Sequence, residues 1–167
     1  HYVRDLHITL VGVNSTQIFN TFSEYQMSSL TLLHSDLKFL NDEGISTIKS
    51  LIIHRNNHTI LNKTFHQMKS LTHLTIYHES DLILKEGSFY GLYKLIHLSI
   101  ECFPFQCTNK CLTRGTFFYL HNLKTLELMR NQIICLNPGV FHGLYNIEKI
   151  DLNNNNYIVV ITIVYTC

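Results

Sequence analysis

Residues 123–155 write one pattern twice, and this leaves the chain little choice of fold. Leu123, Leu126, Leu128 and Asn131 recur as Ile147, Ile150, Leu152 and Asn155, each 24 positions on. Self-similarity at a period of about 20–50 residues calls for stacked repeats, whatever the individual residues do. Going backwards, the frame reappears as Leu95, Leu98 and Ile100, then Leu71, Leu74 and Ile76, then Ile48, Leu51 and Ile53. Met27, Leu30 and Leu32 make a weaker copy, and Val3, Leu6 and Ile8 the first. Units starting near residues 3, 27, 48, 71, 95, 123 and 147 therefore form one array over residues 1–167, at steps of 24, 21, 23, 24, 28 and 24.

Each unit has a second apolar pair three residues apart: Phe65 and Met68, Phe89 and Leu92, Phe117 and Leu120, Phe141 and Leu144. The L-x-x-L-x-L half alternates like a short strand with one buried face, and the Phe-x-x-Leu half suits a helical or irregular return that plugs the inside of a coil. A single coil cannot bury its apolar face, so neighbouring coils share a continuous core. An apolar share of 46% is enough to fill it.

The pattern resembles the leucine-rich repeat superfamily over essentially the full length. Units such as "LNPGVFHGL", with phenylalanine in the convex half, look like the subclass typical of extracellular members. The irregular steps are similar to Toll-like receptor ectodomains. The resemblance implies an α/β fold: a right-handed solenoid of about seven turns, with parallel strands on the concave face and short helical or irregular convex returns. Ladder asparagines stand at Asn56, Asn131 and Asn155, but Val11, Ser35, Glu79 and Phe103 occupy the equivalent places. Turns lacking the asparagine must satisfy their backbone groups differently. Neither end shows a cysteine-rich cap, so the chain is expected to be a piece of a longer ectodomain.

A formal charge of +1 without long charged runs gives no general field for nucleic acid or membranes. No run approaches the roughly 20 apolar residues of a membrane span. P-loop, G-x-G-x-x-G, G-x-S-x-G and H-E-x-x-H signatures are missing, so the chain reads as a binding module, with no enzymatic role and no cofactor.

Residues between the strand leucines should form the concave surface. One column reads Asp5, Ser29, Ser50, His73, His97, Thr125 and Lys149, and the next His7, Thr31, Ile52, Thr75, Ser99, Glu127 and Asp151. With strands about 4.8 Å apart, His73 should neighbour His97, and His54 and Arg55 should neighbour Tyr77 and His78. Glu101 and Arg130 extend that edge. Protonation near pH 6 would turn this surface positive and fit it to an anionic ligand. The resemblance adds nucleic acid in an acidic compartment as one candidate, beside a protein or pathogen-derived ligand and receptor dimerisation. The plainer alternative is that the chain's eleven histidines are ordinary surface residues that no ligand touches. A secreted or adhesive repeat protein and an intracellular scaffold are the competing classes.

Cys102, Cys107 and Cys111 crowd into the longest unit, whose residues 102–115 look like an insertion loop. In an oxidising compartment they suggest a loop-pinning disulfide. With His121 they could instead hold zinc, although the gaps lack a C-x-x-C knuckle. Cys135 is expected in a turn after the strand, as a buried thiol. Sequons at Asn14, Asn57 and Asn62 agree with an extracellular or lumenal location. The β-branched run from Tyr157 to Val164 would be prone to strand pairing if exposed.

Overall fold

The alternating leucines form what their period demands. In a computed structural model describing residues 6–13, 27–35, 37, 40, 43–54, 60, 63–78, 82–102 and 110–156, seven strands make one parallel sheet. They are β1 (Leu6–Val11), β2 (Met27–Leu33), β3 (Ser50–His54), β4 (His73–His78), β5 (His97–Cys102), β7 (Thr125–Glu127) and β9 (Lys149–Asp151), ordered β1-β2-β3-β4-β5-β7-β9. The chain visits its strands in spatial order, which makes the fold a leucine-rich repeat solenoid. Two further strands, β6 (Lys110–Leu112) and β8 (Ile133–Leu136), pair in a separate parallel sheet. Five returns, those from β2 to β9, are described wholly or in part, so among the described residues about five coils close, against the seven expected.

The core is the shared interior. Leu51, Leu74, Leu98 and Leu126 are fully buried, and Ile53, Ile76, Ile100 and Leu128 lie beneath them. Behind this layer runs a spine of rings. Phe65, Phe89, Phe117 and Phe141 stack with centroids 6.4, 5.9 and 6.4 Å apart.

The returns are turns rather than helices. Among the described residues there is no α-helix, and the helical pieces are 3-10: Glu43–Ile45 and, just before it, Leu37 and Leu40. The spacing of three explains itself in hydrogen bonds. Phe117 O accepts from Leu120 N at 3.0 Å, and Leu120 O from Leu123 N at 3.0 Å. The turns from Phe65 and Phe89 repeat the scheme.

Two expectations need correction here. The first unit starts two residues later than its pattern suggested: His7 stands opposite Ser29, and Ile8 and Leu10 opposite Leu30 and Leu32. A shift of two keeps the same face inward, so hydrophobicity alone cannot detect it. Packing decides it, since Ile8 and Leu10 are 9% and 7% exposed and both join the core. Val13 thereby takes the ladder place assigned to Val11, and Val11 is 65% exposed.

The second correction concerns Cys135. It is not a buried thiol in a turn. It lies in β8 and forms a disulfide with Cys111 in β6. Residues 110–112, inside the expected insertion loop, thus form a strand that is bonded to the next coil. A cysteine in a disulfide has no thiolate for zinc, and among the described residues no His, Cys, Asp or Glu group could hold a metal. Cys102 is disulfide-bonded as well. Cys107 lies outside the described residues. Replacing Cys135 with serine should lower stability by about 2–4 kcal/mol through the added freedom of the unfolded chain. Denaturant midpoints of the two proteins, compared with and without reductant, check this. A midpoint that reductant leaves unmoved in the parent would count against a stabilising bridge.

Ser35 shows how a turn manages without asparagine. Its buried hydroxyl accepts a hydrogen bond from Val13 N at 3.1 Å and donates to Leu33 O at 3.0 Å. Asn155 does the same with more groups. Its Oδ1 accepts from Asn131 N and Ile133 N at 2.9 and 3.1 Å, and its Nδ2 donates to Leu128 O and Leu152 O, both at 2.7 Å.

Candidate ligand-binding face

Side chains at alternate strand positions leave the core and line the concave surface. From β2 onward the columns align as expected. Ser29, Ser50, His73, His97, Thr125 and Lys149 stand in one register row, and Thr31, Ile52, Thr75, Ser99, Glu127 and Asp151 in the next. His7 reaches both rows, with Nδ1 at 2.9 Å from Ser29 Oγ and Nε2 at 3.4 Å from Thr31 Oγ1.

The rings meet in the middle of the sheet. His73 and His97 are 6.0 Å apart between centroids, and His54 stacks on Tyr77 at 4.5 Å with planes 20° apart. Tyr77 pairs in register with Glu101, and Glu101 Oε1 receives a hydrogen bond from Arg130 Nη1 at 2.9 Å. His54, Tyr77, Glu101 and Arg130 therefore form a continuous row across three strands and the turn after β7.

Charge is distributed unevenly along this face. Among the described residues its carboxylates lie on β5, β7 and β9, each beside a cation. Glu127 faces His97 Nε2 at 3.8 Å and Lys149 Nζ at 3.4 Å, and Asp151 faces Lys149 at 3.4 Å. The backbone N–H of Asn153 holds the Asp151 carboxyl below the usual carboxylate range, and hydrogen bonds to Asp151 and then Glu127 hold Lys149 above its own. Both shifts favour the charged forms of this pair.

His78 does not belong to this surface. It was expected beside Tyr77 on the concave side, but β4 runs one residue further than β3, so alternation continues and turns the imidazole inward. It is 2% exposed, with Nε2 at 3.0 Å from Asn131 Oδ1. Arg55 and the sequon residues Asn14, Asn57 and Asn62 lie outside the described residues. Glu127, at the junction of His97 and Lys149, was seen in the sequence only as a column member.

The returns carry a pattern that strand-centred reading missed. Tyr90, Phe118 and His142 each follow a spine phenylalanine, and Tyr93, His121 and Tyr145 each stand two places before a unit's first leucine. Phe118 stacks on His142 at 5.5 Å, His121 lies 5.3 Å from Tyr145, and edge contacts join Tyr90 to Tyr93 and Phe118 to His121. Tyr93 and Tyr145 are 45% and 68% exposed. Rings at fixed offsets from the frame were a readable signal.

The comparisons agree with this architecture. The family described as leucine rich repeat matches residues 110–156. No curated protein matches the chain at a significant level. The crystal structure of a TLR13-ssRNA13 complex matches with a TM-score of 0.66 and 25% identity, over 92% of this chain and 20% of that one. The chain thus spans about a fifth of the length of that receptor chain. Among the described residues no helix is long and apolar enough to cross a membrane. Seven parallel strands in chain order, a phenylalanine spine, ladder asparagines and these likenesses give the chain a leucine-rich repeat solenoid fold that resembles a Toll-like receptor ectodomain.

Proposed function

We propose that the chain is a ligand-binding segment of a Toll-like innate immune receptor, engaging an anionic ligand through the histidine part of its concave face under acidic conditions. The observation that carries this reading is the pair of ring contacts, His73 with His97 and His54 with Tyr77, set in register on a surface whose other charges are mutually paired. Protonated imidazoles attract phosphate, and Tyr77 with its stacked partner offers a flat ring to a base. The single-stranded RNA held by the similar receptor makes single-stranded nucleic acid the ligand to test first. The Cys111–Cys135 disulfide supports an extracellular or lumenal setting.

The test is the affinity for a single-stranded RNA at about pH 5.5 and about pH 7.5 in constant salt, because phosphate binding depends steeply on salt. Binding is expected to be at least about tenfold tighter at the acid value, each protonated histidine adding an attraction of order 1 kcal/mol. A variant with His54, His73 and His97 replaced by alanine should lose that gain. Equal affinity at both values would sink the proposal. A protein partner, as in a secreted or adhesive repeat protein, is the second reading, and the exposed Tyr93 and Tyr145 rings favour it.

A further inference from the structure

The buried contact between His78 and Asn131 joins residues 53 apart in sequence, from the end of β4 to the turn after β7, across the intervening β5. Asn131 is itself 2% exposed. Its Nδ2 donates to Ile100 O at 2.6 Å and to Met129 O at 2.9 Å. An amide oxygen cannot face two carbonyls, so these neighbours fix the orientation of the side chain. Both Nδ2 hydrogens are then committed, and Oδ1 can only accept. His78 must therefore carry hydrogen on Nε2.

The next coil offers a comparison. There Asn155 Oδ1 accepts the backbone N–H groups of Asn131 and Ile133. On Asn131 the equivalent oxygen takes an imidazole donor from two strands away. His78 thus supplies from a side chain the kind of donor that backbone supplies one coil later.

The carbonyls that Asn131 holds belong to Ile100 and Met129, which immediately precede Glu101 and Arg130. Those two residues form the 2.9 Å ion pair on the concave face. Arg130 also sits at φ 58°, a left-handed conformation that a side-chain-bearing residue adopts at a cost and that its surroundings must hold in place. Tyr77, the residue before His78, stacks on His54 in the same surface row. One interior contact therefore stands behind Tyr77, Glu101 and Arg130.

We infer that His78 is a positioning residue of the concave site: acting through Asn131, its imidazole sets where the Glu101–Arg130 pair stands relative to Tyr77. This rests on the ligand-binding reading above, but its primary readouts need no ligand. Nitrogen-15 NMR of the chain should show hydrogen on Nε2 of His78. In His78→Leu, exchange of the Asn131 side-chain amide and of the Arg130 guanidinium hydrogens should quicken at least about tenfold, as expected when one buried hydrogen bond is lost. Acid-pH affinity for single-stranded RNA should fall by a similar factor. His78→Gln, whose amide keeps an N–H donor on a chain of comparable reach, should restore most of both.

Hydrogen on Nδ1 alone in the parent protein would overturn the inference without any variant, which matters if His78→Leu fails to fold. So would unchanged Arg130 exchange in a folded His78→Leu, or equal loss in the leucine and glutamine variants. If the parent chain binds no RNA at either pH, the functional reading fails, and Arg130 exchange decides the role of His78 by itself.

Discussion

Replacing Phe117 with alanine is expected to destabilise the chain by about 3–5 kcal/mol, the usual cost of emptying a buried aromatic site. Phe117 is fully buried and stacks between Phe89 at 5.9 Å and Phe141 at 6.4 Å. Its loss opens a cavity in the spine and removes both ring contacts. The backbone around it is fixed by turn hydrogen bonds and cannot easily collapse into the gap. At about 2–4 °C per kcal/mol for a chain of this size, the midpoint of thermal unfolding should drop by roughly 10 °C. Because coils couple mainly to neighbours, the loss should first appear as faster hydrogen exchange in the flanking strands, β5 and β7, and only later in β2. Uniform acceleration through all strands would mean that the array unfolds as one unit. An unchanged midpoint would mean that the spine does not support the fold.

The sequence made the strands legible because the apolar period admits one stacking. Leu98 and Ile100 can only be inward, and what lies between them can only be outward. Three things were hidden, each for a physical reason. The start of β1 was ambiguous because a slip of two residues preserves the inward face, so only the packing of Ile8 and Leu10 resolves it. His78 was misplaced because its direction depends on whether the strand continues past Tyr77, which it does by pairing in register with Cys102 of β5. Cys135 was misread because β6 arises inside an insertion with no leucine frame. Its partner was nevertheless signalled: Cys111 and Cys135 are 24 residues apart, one step of the repeat, which puts them on adjacent coils. Of the concave site, the register of His73 with His97 and of His54 with Tyr77 could be read from spacing. The charge pairing of Glu101, Glu127 and Lys149 could not, because it depends on rotamers that no spacing specifies.

The second large effect is expected at Gly143, where a methyl group has nowhere to go. Gly143 has φ +98°, and an added Cβ would lie 2.8 Å from Phe118 C and Cα and closer still to the Phe118 carbonyl oxygen. These are backbone atoms of the preceding coil, so relief requires two coils to move apart. Gly91 meets the backbone of His66 in the same way, so the close approach belongs to the repeat rather than to one accident. Left-handed strain contributes about 1–2 kcal/mol, and overpacking against rigid neighbours about 1–3 kcal/mol more. Gly143→Ala should therefore lose roughly 2–5 kcal/mol. Gly12→Ala separates the two contributions, because Gly12 has φ +65° but nothing within 4 Å of the added atom. Its cost should stay near the strain alone, about 1 kcal/mol. Chemical denaturation of both variants measures the difference. A Gly143→Ala loss no larger than that of Gly12→Ala would show that the coils can part without penalty, and that their spacing is not what the glycine protects.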